Sequence, residues 1–422
     1  MKKENQPQIN IRLDIPKVKV LRMEMTEEGE IIIGVESEER GTKCRKCGRE
    51  IEEYHGVDGQ IRLRHLPILG QVVYIEISPK RYRCPYCEDR PTTTQKLGWY
   101  RAKSGCTKAY ERQVMLQLVN STVADVSAKE GLGYEAVMGV LEREMAPEVD
   151  WEKTMGIEVL GLDEIALKKG HRDFVVIVTG RHGDGRIQVL GVLGDRRKET
   201  VKAFLKGLPE TVKDQIKTVC TDLYEGYINA VKEELPAAKI VADRFHIAKL
   251  YRESADQLRR QEYRRLKAEL PETEIAELKG NVWAFRQNPA ELDAGGQTVL
   301  ERLLDASPAL SQAYEFREEL TAIFDQDLCK AEATRLIDRW QDRVRSSGLT
   351  CFDTFLKTLD GWKDEITNYF LDRLSSGFIE GLNNKIKVIK RRCYGIFNPT
   401  HLFQRITLDL DGYRLYGPPA PI

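Results

Sequence analysis

The sequence predicts a multidomain chain: a β-rich N-terminal region, a helical segment, and an α/β core interrupted by a large α-helical insertion. Three observations predict it. Two Cys-x-x-Cys pairs bracket alternating apolar runs, short apolar strands begin at Ile157, and Leu250 to about Phe370 is helical in pattern. With 422 residues and 41% hydrophobic content, the chain can bury several cores.

The first forty residues are polar, with strand-like pieces at Val18–Met25 and Glu30–Val35. Between the pairs Cys44/Cys47 and Cys84/Cys87 lie alternating runs at Gln60–Pro67 and Gln71–Ser78, joined around Leu69-Gly70. Alternation about a glycine turn reads as a β-hairpin, which would carry the second pair back beside the first. Four thiolates at that spacing suit a structural tetrahedral Zn²⁺. Nine cysteines in a long chain with no secretory signal favour metal over disulfides. Arg45, Lys46, Arg81 and Arg83 surround the knuckles and are candidates for DNA backbone contact. Residues 1–98 are expected to form this β-rich zinc-binding region.

Residues 99–150 read as helical. Tyr110–Val119, Val123–Gly131 and Tyr134–Met145 show helical spacing, separated by Asn120-Ser121-Thr122 and Leu132-Gly133. These have the proportions of a helix-turn-helix DNA-binding segment, and equally of a plain three-helix linker.

The core begins near 151. Strands at Ile157–Leu162, Phe174–Thr179 and Arg186–Leu193 precede a helix (Thr200–Leu208), a strand (Lys217–Thr221), a helix (Tyr224–Leu235) and a strand (Lys239–Ala242). That order is the one of a ribonuclease-H-like α/β layer. Its first part is assigned to 151–249, the helical insertion to 250–372 with breaks near Pro271, Pro289 and Pro308, and its last part to 373–422.

Net charge is zero, which taken alone argues against a nucleic-acid binder. The average conceals segregation: Gly41–Arg112 carries 15 Lys/Arg against 8 Asp/Glu, and no acid occurs between Gly381 and Leu408. No apolar run approaches the ~20 residues needed to span a bilayer, so the expectation is a cytoplasmic protein, nucleoid-associated when bound to DNA, with no membrane partner.

Three acids stand in well-marked settings. Asp163 ends the first core strand, Asp222 ends the fourth, and Glu380 opens a helical segment with five cations and no second acid. If the first and fourth strands are neighbours, the two aspartates lie side by side. Like charges that close would force a proton onto one of them unless cations intervene. A pair of Mg²⁺ (or Mn²⁺) ions held by Asp163, Asp222 and Glu380 would drive in-line displacement at phosphate. Ile379, Leu382, Ile386 and Ile389 form the apolar stripe of that helix. Asn383, Asn384, Lys387 and Arg391 fall on a face shared with Glu380, and with Lys390 and Arg392 they are candidate DNA contacts. Asp243 is a rival for Asp222, and Glu164 should point away from Asp163. His246 is either an ordinary buried histidine or an accessory residue of the site. Trp283, Trp340 and Trp362 read as core, with base stacking as the lesser alternative.

The segments Gly161–His171, Val241–His246 and Gly377–Arg392 resemble the ISL3 family of bacterial insertion-sequence transposases, and the cysteine knuckles match that family's zinc-binding domain. The resemblance runs from Cys44 to about Tyr416. It implies a DDE transposase with a ribonuclease-H-like core, Mg²⁺ chemistry, and binding to terminal inverted repeats and target duplex DNA, with a homodimer expected on DNA. Carried over by position, the triad is Asp163, Asp222 and Glu380, and Asp243 to His246 matches an accessory motif. Two rivals from the residues alone are a non-catalytic zinc-containing DNA-binding regulator and a structure-selective nuclease.

Overall fold

The computed structural model describes residues 13–168, 172–374 and 377–418, without the side chains of 168, 172–173 and 377–380. The chain divides into two compact units, one holding residues up to Ala146 and from Thr407 onward, the other Pro147–Ile406.

In the first unit, alternation does what the pattern requires. Strands Ile61–Ile68 and Gln71–Ile77 pair antiparallel, Leu63↔Ile75, and bury Leu63, Val73, Ile75 and Ile77 on one face. Leu69 and Gly70 close the hairpin with φ of 51° and 82°, the two left-handed residues of a type I′ turn. Val18–Met25 and Ile31–Ser37 complete a four-stranded sheet, with Ile31–Ser37 running parallel to Gln71–Ile77. The hairpin alone does not return the second cysteine pair to the first. The chain continues into Lys80–Arg83, which pairs with both Glu53–Val57 and Thr92–Thr94 in a separate three-stranded sheet.

Three helices follow, Lys108–Leu118, Val123–Glu130 and Tyr134–Glu144. Thr107 and Thr122 cap the first two through their hydroxyls, and Gly131 ends the second in the left-handed conformation. Tyr110, Val114, Leu118, Val126, Val137 and Leu141 make their core. Glu111, fully buried among them, is held by Arg101, Arg143 and Ser104.

The second unit is built on a five-stranded sheet in the order Ile187–Leu193, Arg172–His182, Ile157–Lys168, Thr218–Thr221, Lys239–Ala242. The first three strands are antiparallel and the last two join in parallel, the ribonuclease-H-like arrangement. Helices Lys198–Lys206 and Glu225–Glu234 cover it with Val201, Leu205, Tyr227, Ile228 and Val231. One boundary differs from the sequence reading. The first core strand does not stop at Leu162 but continues to Lys168, because its antiparallel partner keeps pairing with it through Asp163↔Ile177 and Ala166↔Phe174. Only the parallel ladder stops, at Leu162↔Thr221.

The insertion is helical, as its pattern required, and its breaks fall at Pro271, at Asn288-Pro289, and at Ser307-Pro308, where the serine caps the next helix. Its core gathers Phe285, Leu303, Phe316, Leu320, Trp340, Phe352 and Phe355. The helix that enters it starts earlier than Leu250. It runs Arg244–Glu269 and is capped by the side chain of Asp243, so a strand-end aspartate also begins the insertion.

Candidate metal centres and DNA-facing surface

The four knuckle cysteines converge. Their Sγ atoms stand 3.6 Å apart for Cys84–Cys87, 3.7 Å for Cys47–Cys84 and 4.0 Å for Cys44–Cys87. A tetrahedron with ~2.3 Å arms has edges of about 3.8 Å, whereas a disulfide would need about 2.05 Å. The donor set therefore fits Zn²⁺. Local backbone prepares it: the N–H groups of Cys47 and Lys46 point at Cys44 and lower its thiol to about 6, while burial pushes Cys87 up to about 12. Gly48, at φ 72°, makes the tight turn that lets the first knuckle close.

The second centre is built where the parallel ladder ends. Since Leu162 pairs with Thr221 in parallel register, the next residues, Asp163 and Asp222, fall side by side where that ladder ends. The electrostatics agree. Burial, then the Asp222 carboxylate, raises Asp163 to about 6. Asp163 accepts from the Glu164 backbone N–H at 2.7 Å on one oxygen and from the Asn383 amide on the other. Glu164 is turned to other partners, the Tyr227 hydroxyl at 2.8 Å and Arg196 at 3.5 Å, in keeping with the strand alternation.

His246, one turn into the Arg244–Glu269 helix, lies between two carboxylates: its Nδ1 is 2.5 Å from Asp222 and 3.2 Å from Asp243. Bonding first to Asp222 and then to Asp243 raises the imidazole to about 10. Asp222, Asp243 and His246 place their ligand atoms within 4.8 Å of one another, which suits a divalent-cation site. Asp243 and Asp222 thus lie in one cluster. Sequence separates these residues by up to 24 positions, and only the parallel pairing Thr221↔Ala242 brings the two aspartates together.

Glu380 lies in the first turn of the helix Gly377–Arg392, and its side chain is outside the described ones, as are Ile379 and the segment Lys169–His171. The rest of the helix's apolar stripe, Leu382, Ile386 and Ile389, is buried against the sheet. The cations and amides beyond it divide into two sets. Asn384, Lys387 and Arg391 are exposed, as phosphate contacts require. Asn383 and Lys390, seven residues apart and so on one side of the helix, face the first core strand instead. Asn383 is 6% exposed and donates to Asp163; Lys390 donates to the Ala166 carbonyl, and burial lowers its pKa. Their place beside the apolar stripe is the reason. Arg392 is half-buried.

At the zinc knuckles, Arg45 is exposed, Lys46 pairs with Asp89 at 3.0 Å, Arg81 donates to Thr92 at 2.6 Å, and Arg83 lies against His55 and Glu53. Of the tryptophans, Trp340 is fully buried and donates to the Phe316 carbonyl, Trp362 packs partly into the core, and Trp283 is 71% exposed. Sequence reasoning missed the Asn383–Asp163 bond and the bridging position of His246. The three-residue spacing of Glu380 and Asn383 on one helix was the signal available for the first.

Comparison with known proteins places this geometry. A family model described as a transposase, of the ISL3 DDE group, matches residues 160–406, and one for the helix-turn-helix domain of transposase family ISL3 matches 95–144. The chain is 31% identical over 375 residues to the transposase for insertion sequence element IS1001 of Bordetella parapertussis, covering 87% of this chain and 89% of that protein. It is 25% identical over 393 residues to the transposase for IS1557 of Mycobacterium tuberculosis, covering 88% and 86%. The Drosophila P element transposase in its strand transfer complex aligns with a TM-score of 0.40 and 12% identity over 71% of this chain and 91% of that one, a likeness too weak to build on. A family match over more than half the chain, joined to near full-length similarity, is decisive: the chain belongs to the ISL3 family of transposases and is a DDE-type enzyme.

Proposed function

We propose that this transposase cuts DNA at the ends of an insertion sequence and joins the freed 3′-hydroxyl to target DNA, with Asp163, Asp222 and Glu380 as its catalytic acids. The observation that carries the reading is the register that sets Asp163 beside Asp222 at the end of one parallel ladder. Mg²⁺ or Mn²⁺ bound there supplies activation of the attacking hydroxyl and stabilisation of the leaving oxygen. The residues present fit such cations, since Asp163 and Asp222 are adjacent half-buried carboxylates, Asp163 is raised to about 6 by burial and by Asp222, and His246 reaches only the Asp222 side.

The chain's own residues have separable tasks. Asp163 and Asp222 hold the reacting centre, with Asp243 and His246 completing the Asp222 side. Asn384, Lys387 and Arg391, on the outer face of the Glu380 helix, bind the flanking phosphates. Four thiolates on zinc hold the N-terminal knuckles in shape, and those knuckles with the three-helix segment bind the terminal inverted repeats. Cutting and joining at two ends calls for two copies on DNA, so a homodimer is part of the reading. No helix among the described residues is long and apolar enough to cross a membrane, and a chain that works on chromosomal DNA belongs in the cytoplasm.

A cleavage assay tests this. With duplex carrying the element's end and Mg²⁺, the protein should cut at the element boundary, and Asp222→Asn should bind the same duplex without cutting. Scattered cuts independent of the end sequence would favour a nuclease. End binding with no cutting by zinc-loaded wild type would favour a regulator.

A further inference from the structure

We propose that Asn383 is a positioning residue for the cation centre: its amide nitrogen orients the Asp163 carboxylate, and its amide oxygen is an acceptor for a hydrated divalent cation. The inference rests on the reading of Asp163 as a cation ligand.

The orientation of the amide is fixed by chemistry. Its oxygen turned toward a carboxylate would set two acceptors against each other, so the nitrogen must face Asp163 and the oxygen must face away. The nitrogen's bond goes to Asp163 Oδ2, while the Glu164 backbone N–H serves Oδ1 at 2.7 Å. Each carboxylate oxygen then has one protein donor and keeps lone-pair capacity for a cation. A lysine or arginine here would orient the carboxylate equally well but would neutralise the charge that the cation needs. A neutral amide leaves that charge in place.

The other end of the amide is unsatisfied. Asn383 is 6% exposed, and its Oδ1 has no hydrogen-bond partner. A buried acceptor left unpaired is costly and rare in folded proteins, and such groups are concentrated where a ligand or ion completes them. The hydration shell of a divalent cation on Asp163 is a strong donor set at that place.

The support behind Asn383 is rigid. Leu382, Ile386 and Ile389 bury the helix against the sheet, and Lys390 ties its next two turns to the Ala166 carbonyl of the same strand. Asn383 and Lys390 therefore fasten the helix to the strand at two points. Asp163 is oriented by a residue 220 positions later in the chain. The carboxylate on the first strand is thus set only when the Glu380 helix has docked.

The test uses zinc-loaded full-length protein and measures Mn²⁺ binding from the free-ion paramagnetic resonance signal. Asn383→Leu keeps the packing volume and removes both amide functions; Asn383→Ala is the second variant. Both should bind Mn²⁺ about 10- to 100-fold more weakly while melting close to wild type and binding end DNA normally. Joining activity should fall similarly and recover in part at high Mn²⁺. Wild-type Mn²⁺ affinity in both variants would overturn the proposal, as would loss of end-DNA binding with Mn²⁺ binding intact, which would mark Asn383 as a DNA contact. Asp163→Ala separates the levels: if it binds Mn²⁺ like wild type, the reading of Asp163 has failed, whereas its loss beside unaffected Asn383 variants sinks only the present inference.

Discussion

Asp163 and His246 both lose their contribution to stability as pH rises, but in different windows. A carboxyl raised to about 6 favours its protonated form in the folded protein. Its contribution to stability is therefore present below the ordinary range near 3.8 and is lost as pH rises through about 6. A cation on Asp163 removes that penalty. Mg²⁺ should consequently raise the melting temperature more at pH 8 than at pH 5, and joining at limiting Mg²⁺ should fall steeply below about pH 6. His246 is raised as well, so its stabilising contact with Asp222 and Asp243 is complete below 6.5 and fades as pH passes about 10. His246→Gln should melt below wild type in chelator at pH 7, by ~2–4 °C for each kcal/mol lost, and added Mg²⁺ should narrow the gap. An unchanged melt in chelator would show that the imidazolium is not what relieves the two carboxylates. At this scale the sequence was informative about which acids come together, Asp163 with Asp222 and Asp222 with Asp243, and weak on what surrounds them. Asp163, Asp222 and the Asp243–His246 motif each stood at the end of a recognisable apolar run. Asn383 and Asn384 both fall near the Glu380 face by spacing, and a 100° step around the helix leaves one buried on Asp163 and the other exposed.

Elements were legible where pattern and ladder coincided. The hairpin Ile61–Ile77, the three N-terminal helices and the proline breaks of the insertion follow from alternation, capping and ring geometry. The first core strand was read short because Asp163-Glu164 interrupts the apolar run, while the antiparallel backbone ladder continues past it regardless of side-chain polarity. The return of the second knuckle was also only half visible, since it depends on Lys80–Arg83 finding Glu53–Val57 across the hairpin. Two predictions belong here. Stripping zinc should unfold the knuckle region and abolish end binding, as a structural site of this kind is worth on the order of 10 kcal/mol; end binding that survives complete zinc loss would contradict it. At the hairpin tip, Leu69 is 86% exposed in a left-handed conformation that suits Asn and penalises Leu. Leu69→Asn should raise stability by about 1 kcal/mol in denaturant melts.

On the scale of the whole molecule, one chain interleaves its chemistry with its architecture. Asp163 and Asp222 are set by sheet register, the helix capped by Asp243 leads straight into the insertion, and Glu380 follows that insertion in the chain. The acids proposed to act together are thus far apart in the chain, and Asn383 and Lys390 fasten the helix of Glu380 to the first core strand. The central claim is that these acids join DNA. Its most direct test is strand transfer of pre-cleaved element-end DNA into a plasmid with Mg²⁺, comparing wild type with Asp163→Asn, Asp222→Asn and Glu380→Gln. The account predicts joined products from wild type alone, with end binding retained by all three variants. Full joining by any of the three would remove that acid from the catalytic set and contradict the account.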